Sequence, residues 1–233
     1  MAYRYLDSIH ILDTLDRLIQ RIEERFPQAG LLKVTREFRT LAHECVVEAG
    51  NISRPNWYVR TATILLVALI VAAAVVLGVR IWETASPDSV DTFAEIVTAI
   101  EAAVNDIVFL GIAIFFVATI ETRLKRSRAL KQLHQLRSIA HVVDMHQLTK
   151  DPERVLARDS STPSSPVRTM TPAELARYLD YCSEILSLTS KVAALFVQHF
   201  DDPVVLAAVT EVENLSADMS RNVWQKISLL ERA

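Results

Sequence analysis

Apolar residues recur three and four positions apart near both ends of this 233-residue chain, which is typical of amphipathic helices. Two such patterns before residue 55 are separated by Pro27, and the second ends near Gly50, so residues 1–54 are predicted to form a helical hairpin. The first of these helices is predicted to bury one apolar stripe. Its members are Leu6, Ile9, Leu12, Leu15, Leu18 or Ile19, Ile22 and Phe26.

A second hairpin is predicted over residues 171–233. The Thr171-Pro172-Ala173-Glu174 sequence has the form of a capping box with proline at the first helical position, and Asp202 with Pro203 begins the last helix in the same way. We expect this last helix to bury one side. Its members are Val205, Val209, Val212, Met219, Val223, Ile227 and Leu230.

Two central stretches are apolar throughout and lack the three- and four-residue spacing of an amphipathic helix. The nineteen residues between Arg60 and Arg80 carry no charge, and at about 1.5 Å per helical residue they cover the roughly 30 Å core of a bilayer. Trp57 and Trp82 flank this stretch, as aromatic side chains do at bilayer interfaces. The second run, Ile107–Ile120, is shorter and must borrow neighbouring residues to cross. The pattern predicts two transmembrane helices.

No proline interrupts the chain from about residue 92 to about residue 148, so the second span is predicted to continue as an unbroken amphipathic stalk that needs a partner. The predicted fold is an all-α membrane protein whose stalk and terminal hairpins pack as a bundle. Its expected parts are an N-terminal hairpin (1–54), a two-span hairpin with a short acidic external loop (55–123), a stalk (124–150), a flexible linker (151–170) and a C-terminal hairpin (171–233).

The charges indicate an orientation. Basic residues dominate after the second apolar run, whereas the loop between the runs is acidic, so both termini are predicted to lie in the cytoplasm and the spans in an inner or plasma membrane. Arg80 follows the first span and would lie on the external side, against this charge rule. Its long side chain can reach the outer interface of the bilayer. The cations predicted to contact anionic lipid headgroups are Arg123, Lys125, Arg126 and Arg128, although their role in orientation explains them equally well.

Residues 81–106 contain six acids and neither lysine nor arginine. Projected onto a helix, Glu95, Glu101, Asn105 and Asp106 share one side, and in an oligomer they could line a cation pathway entered from outside. The alternative is an external helix extension whose acidic face is solvated.

Small residues four apart occur twice in the first span, at Ala68 and Ala72 and at Ala74 and Gly78. This spacing lets a second helix approach closely, although alanine is also simply a good helix former. Such packing agrees with a homo-oligomer, which we expect for this chain.

Sites of known chemistry are not predicted. The four glycines are isolated, which argues against a phosphate-binding loop, and Cys45 and Cys182 lie on apolar helix faces as small core residues. We therefore expect no enzyme activity, cofactor, metal site or nucleic-acid partner. The leading hypothesis is a two-pass membrane protein whose cytoplasmic helices bind an unknown protein partner or sense a signal. The alternative is an oligomeric cation channel or membrane-perturbing effector gated by those helices.

Overall fold

The computed structural model describes residues 5–55, 57–84, 93–150, 152 and 170–231, without the side chains of residues 74, 77, 80–84, 93–100, 102, 103 and 106. Over these residues the chain forms seven helices and no strand, so the predicted all-α class is confirmed. The helices are α1 (Ser8–Arg25), α2 (Gly30–Ser53), α3 (Trp57–Thr84), α4 (Phe93–Ala118), α5 (Ile120–Leu148), α6 (Pro172–Ala194) and α7 (Pro203–Glu231). Residues 1–54 and 126–233 form one compact unit, and residues 55–125 form another.

The first unit is a helical bundle, as predicted. Asp7 caps the start of α1, because its carboxylate accepts a hydrogen bond from the N–H of Ile9. Arg39 of α2 donates two hydrogen bonds to Asp16 of α1. Helix α6 begins with the predicted capping box, since Thr171 and Glu174 exchange side-chain to backbone hydrogen bonds. Local capping thus sets where these helices start.

Helix α5 belongs to this bundle from Arg126 onward. Small and branched apolar residues form its buried face, which lets neighbouring helices approach it closely: Ala129, Leu133, Leu136, Ala140 and Val143. Polar contacts connect α5 to two neighbours, through Arg137 to Glu211 of α7 and through Gln132 to Cys45 of α2. The stalk therefore finds its partners within the same chain.

Contacts between helices show their directions. Leu6 meets Gln198 and Arg21 meets Glu184, so α1 and α6 are antiparallel. Helix α5 runs parallel to α7, because Arg126 meets Asp202 while Lys226 donates to the carbonyl of Gln147. Helix α2 is antiparallel to α5, since Gly30 lies against His146 and Cys45 against Gln132.

It follows that both places where the chain leaves the bundle, after Arg54 and before Arg126, lie at one end. This end, called the connector end, also contains the start of α1 and the start of α7. The opposite end, called the distal end, contains the last turns of α5 and α7 and the start of α2.

The buried face of α1 differs from the predicted stripe. Ile11, Leu15, Leu18 and Ile22 are buried, whereas Leu6 and Ile9 are exposed, so the prediction was wrong for these two residues. The reason is the helical period: continuing the 22, 18, 15, 11 series backwards reaches Ser8 and not Ile9. In α7 the predicted stripe is confirmed, because every residue named for it is buried.

The second unit consists of α3 and α4, which pack against each other. On α3 the half-buried positions are Val59, Thr63, Val67 and Ile70, while the other described side chains of its apolar run are exposed. By length and composition, one helical stretch of the described chain is long and apolar enough to cross a bilayer. It lies within Gly30–Ala73 and its uncharged part begins after Arg60.

The expectation of an unbroken helix from about residue 92 to 148 was wrong at Thr119, where the helix is bent. At this bend the Thr119 hydroxyl donates to the carbonyl of Phe116 at 2.9 Å, a type of side-chain contact that often accompanies bent helices. The pieces on either side, Ile107–Ala118 and Ile120–Leu148, are long and apolar enough for a crossing only when counted as one span.

Candidate functional site

A surface groove of about 750 Å³ lies on the bundle between α1 and α7, with α6 as its floor. The α6 residues that line it recur with helical spacing: Asp180, Ser183, Glu184, Ser187, Leu188 and Lys191. The start of α1 forms one wall, and Trp224 of α7 stands on the other side, half exposed. From Asp180 to Lys191 the floor extends about 17 Å, which is three turns of a helix.

The polar groups of the groove are held by contacts within the bundle. Arg21 donates two hydrogen bonds to Glu184, at 3.1 and 2.6 Å, which fixes this carboxylate between α1 and α6. Lys191 lies one turn from Ser187, with its ammonium 2.6 Å from the hydroxyl. Since Lys191 is exposed and solvated, this pair lacks the desolvated lysine that would activate a serine as a nucleophile.

His10 and Asp7 form a second pair at the edge of the groove, with Nδ1 of His10 2.8 Å from the carboxylate. The hydrogen bond to His10 and the N–H of Ile9 lower the pKa of Asp7 below its ordinary value. Both side chains are largely exposed, so the pair is best understood as the cap of α1. The groove thus offers shape and mixed polarity rather than a reactive centre.

The start of α1 is held on the bundle by contacts of Leu6 and Tyr5. Gln198 uses its side-chain amide in both directions: its oxygen accepts from the N–H of Leu6 at 3.1 Å, and its nitrogen donates to the carbonyl of Leu6 at 3.4 Å. Tyr5 stacks on His199, with ring centroids 5.6 Å apart. These contacts hold Tyr5, Leu6 and Ile9 in place although their side chains are exposed.

The four predicted lipid-contacting cations have different surroundings. Arg128 is exposed, and the guanidinium of Arg123 lies over the ring of Phe116 at 5.0 Å from its centroid. Lys125 forms an ion pair with Glu121 at 3.0 Å. Arg126 is bound within the bundle by Asp202 and therefore has a structural contact that its position in the basic run did not indicate.

Arg126 and Asp202 form an ion pair whose carboxylate is the most buried among the ion pairs of the described bundle. Asp202 is only 2% exposed. Arg126 donates through Nε and Nη2, while the N–H groups of Val204 and Val205 also donate to this carboxylate. Burial by itself raises the pKa of Asp202, but the hydrogen bonds and the positive charge outweigh it, so the pKa lies below the ordinary value. One carboxylate thus caps α7 and holds the first turn of α5 in the bundle.

The predicted cation-pathway residues are only partly described. Glu101 and Asn105 have exposed side chains one turn apart on α4, whereas the side chains of Glu95 and Asp106 lie outside the described set. The same is true of Ala74 among the small residues of α3. Ala68 and Ala72 are exposed, and Gly78 has open space where a Cβ would be, so none of the described side chains of α4 packs on them.

The two cysteines lie in the bundle core. Burial raises the pKa of both Cys45 and Cys182 to about 12, so the thiols remain protonated and unreactive at neutral pH. In the part of the chain that the structure describes, there is also no cluster of three or more side chains suited to hold a metal ion.

Sequence reasoning missed the groove. It depends on a polar stripe along α6, which lies beside the buried apolar face of this helix, and on Trp224, which follows the buried Val223 and points away from the core. An exposed tryptophan beside a regular core stripe was the signal available in the sequence. Comparison of this chain with protein-family models, with curated proteins and with solved structures finds no match.

Proposed function

We propose that this chain is a non-enzymatic membrane protein in which α3 and α4 span an inner or plasma membrane and the bundle binds a helical protein segment in the cytoplasm. The observation that supports it best is the exposure of large apolar side chains on the α3–α4 hairpin. These include Leu65, Leu69, Ile107, Phe109, Ile112 and Phe115. Soluble proteins rarely leave such a continuous apolar surface uncovered, and a bilayer would cover it.

The proposed orientation has both termini in the cytoplasm. It is supported by the basic residues at the start of α5 and by the acidic residues between the two apolar runs. It agrees with the arrangement of the bundle, in which the chain leaves and returns at one end, as a hairpin that crosses twice requires.

A topology experiment tests this part. Cysteine introduced at Ser89 should react with an impermeant maleimide applied to intact cells, whereas cysteine at Ser161 should react only after lysis. The native cysteines give little background because they are buried. Reaction at Ser161 from outside would reverse the orientation, and release of the protein by alkaline carbonate would contradict membrane insertion.

The proposed partner segment is an amphipathic helix of about three turns. The groove supports a helix because its floor presents the spacing with which helices pack, and Ser183 and Ser187 leave room for close approach. Along α6, Asp180 precedes Lys191 by three turns and Glu184 precedes it by two, so a partner with basic residues at one end and an acid at the other would be complementary.

Site-specific crosslinking tests the groove. A photoreactive amino acid at Ser183 should capture one defined partner peptide, or a second copy of this chain, and Trp224→Ala should reduce that product. The same photoreactive residue at Asn214, an exposed position on α7 away from the groove, is the matched control. Equal capture at both positions, or capture that is insensitive to Trp224→Ala, would contradict a specific groove.

The second candidate function is an oligomeric cation pathway. Exposed Glu101 and Asn105, one turn apart on α4, favour it, because polar side chains on a membrane-spanning helix are costly unless they face water or each other. Purified protein in liposomes should then conduct cations, and Glu101→Ala should reduce the flux. A tight bilayer containing assembled oligomer would count against this function and leave the first unaffected.

A further inference from the structure

We infer that Gln198 and His199 form a pH-sensitive latch for residues 5–7, the short segment before α1 that is called the strap from here on. All three residues of the strap line the groove, so the latch acts on one wall of the proposed binding site. Strap and latch both belong to the bundle. The latch itself is independent of any partner, whereas its effect on binding rests on the proposed function.

The backbone of Leu6 fixes the orientation of the Gln198 amide. The N–H of Leu6 can only donate, and its acceptor is Oε1 of Gln198 at 3.1 Å. Nε2 of Gln198 therefore directs its hydrogens to the carbonyl of Leu6 and to Nε2 of His199, each at 3.4 Å. Because an amide nitrogen can only donate, the ring nitrogen of His199 has to accept.

An accepting Nε2 means that His199 is neutral and carries its proton on Nδ1. Its side chain is exposed to water, and histidine is the side chain that gains a charge between pH 8 and pH 5. The charged ring has a hydrogen on both nitrogens, so two donors then face each other. Turning the amide over would satisfy His199 but would set the NH2 group of Gln198 against the N–H of Leu6. Protonation of His199 therefore costs Gln198 one of its contacts.

The stack with Tyr5 opposes the simplest escape, in which the imidazole turns away. The two ring centroids are 5.6 Å apart and the planes differ by 29°. A charged imidazole is attracted to an aromatic face more strongly than a neutral one. Acid thus keeps Tyr5 on His199 while it weakens the pairing of Gln198 with Leu6, and the strap is left with one attachment instead of two.

The other titratable groups next to the strap and the latch respond differently to acid. His10 gains a charge in the same range, but its Nδ1 lies 2.8 Å from the Asp7 carboxylate, so protonation strengthens this pair. Asp7 and Asp202 have lowered pKa values and stay charged above pH 5. Asp201, exposed and two residues after His199, is a carboxylate whose negative charge favours the protonated imidazole. A weaker strap in acid therefore points to His199.

Exchange of amide hydrogens with water, measured by NMR on the full chain in detergent micelles, tests the latch at pH 7.5 and 5.5. Protection factors are compared because they correct for the intrinsic pH dependence of exchange. The Leu6 N–H should lose about two- to tenfold of its protection on acidification, which corresponds to one net hydrogen bond. The reference is the Leu175 N–H, which donates to the carbonyl of Thr171 at the start of α6 and should keep its protection.

His199→Phe is the matched variant, because it keeps an aromatic ring for Tyr5 and removes the titrating nitrogen. Its Leu6 protection should be the same at both pH values. Constant protection of Leu6 in the unmodified chain, a fall that persists in His199→Phe, or an equal fall at Leu175 would each overturn the latch. A pH dependence that disappears in His10→Gln would assign the response to His10 and would overturn it as well.

The photoreactive residue at Ser183 tests the consequence for the groove. Capture of the partner should be severalfold lower at pH 5.5 than at pH 7.5, and in His199→Phe it should be equal at the two pH values. Capture that ignores pH while Leu6 loses protection would overturn the control of the groove by the strap. No capture at either pH would contradict the proposed partner, and the protection of Leu6 would still decide whether the latch exists.

Discussion

The bundle and the α3–α4 hairpin are both helical and both rich in apolar residues, yet they place these residues in opposite ways. In the bundle each helix turns one face inward, as α7 does with Val205, Val209 and Val212, and keeps polar residues outside. In the hairpin apolar residues surround α3 on all sides, and only its contact with α4 is half-buried. The bundle covers its own apolar residues, whereas the described apolar side chains of the hairpin stay largely exposed.

This difference explains why polar interactions concentrate in the bundle. Paired side chains such as Arg39 with Asp16 and Arg21 with Glu184 join neighbouring helices at its water-exposed surface. In the described part of α3 between Arg60 and Ala73, no side chain carries a charge. In a bilayer, α3 and α4 would associate by close packing alone, since lipid gives no hydrophobic reason for two apolar helices to meet.

The largest effect on stability is expected when leucine is replaced by alanine in the bundle core, and the same replacement on α3 serves as the comparison. Leu186→Ala removes a buried side chain of the bundle core and should lower the free energy of unfolding by about 3 kcal/mol, because it leaves a cavity. Leu69→Ala removes an exposed side chain of α3 and should change it by less than about 0.5 kcal/mol. Urea titration in detergent micelles, followed by circular dichroism, measures both. Similar losses would mean that the hairpin is packed inside protein, and the contrast between the regions would fail.

A smaller loss of stability is expected from a substitution at Asp202, which lies where the chain enters the bundle from the hairpin. Asp202→Ala removes the cap of α7 and leaves Arg126 without its partner, which should cost about 2 kcal/mol. Arg126 is partly exposed, so water compensates for some of the lost contact. Asp201→Ala, at the exposed neighbouring position, is the control and should be nearly neutral. If the two variants unfold at the same urea concentration, the pair does not hold α5 in the bundle.

The lowered pKa of the Asp202 carboxylate predicts that the stability of the fold depends on pH. Because the folded state holds the pKa of Asp202 below its ordinary value of about 3.9, the charged form contributes stability above that pH. This contribution is lost as the pH falls from about 4 through the folded pKa. Asp202→Asn should therefore show a shallower loss of thermal stability between neutral and acidic pH than the unmodified chain. Parallel curves for the two proteins would contradict the assignment.

The smallest effect is expected from the capping box of α6, which is entirely local. Thr171→Ala removes the hydroxyl that accepts from the N–H of Glu174 and should cost about 1 kcal/mol. Thr210→Ala, in the middle of α7 with its hydroxyl on the carbonyl of Leu206, should cost less and can even stabilise, because alanine is the better helix former. Thermal unfolding of the two variants decides whether the cap matters beyond helix propensity.

Local patterns sufficed to predict most of the fold. The helical hairpins, the cap at Thr171 and the core stripe of α7 follow from residue spacing and from side chains that bond to the nearest backbone. The prediction for α1 was wrong at Leu6 and Ile9 because a helix start offers two overlapping stripes, and only packing on α2 and α6 selects between them. The bend at Thr119 was missed because threonine inside an apolar run interrupts a helix only in some surroundings.

The candidate site was largely beyond sequence reasoning. Asp202 and Arg126 are separated by 76 residues, and the basic run around Arg126 gives no sign of this ion pair. The groove combines residues from α1, α6 and α7 whose polar character is ordinary for a helix surface. Only a register between helices brings such residues together, and register depends on contacts distant in sequence.

By itself the sequence determined what depends on neighbours along the chain: the all-helical class, the caps and the two apolar runs, because spacing of three and four residues and uncharged length act locally. The tertiary structure decided which residues meet: that α5 packs within the bundle, that Arg126 pairs with Asp202, and that both connections lie at one end. The physical reason is that burial and ion pairing are properties of surfaces in contact, and those surfaces exist only once the helices have chosen their neighbours.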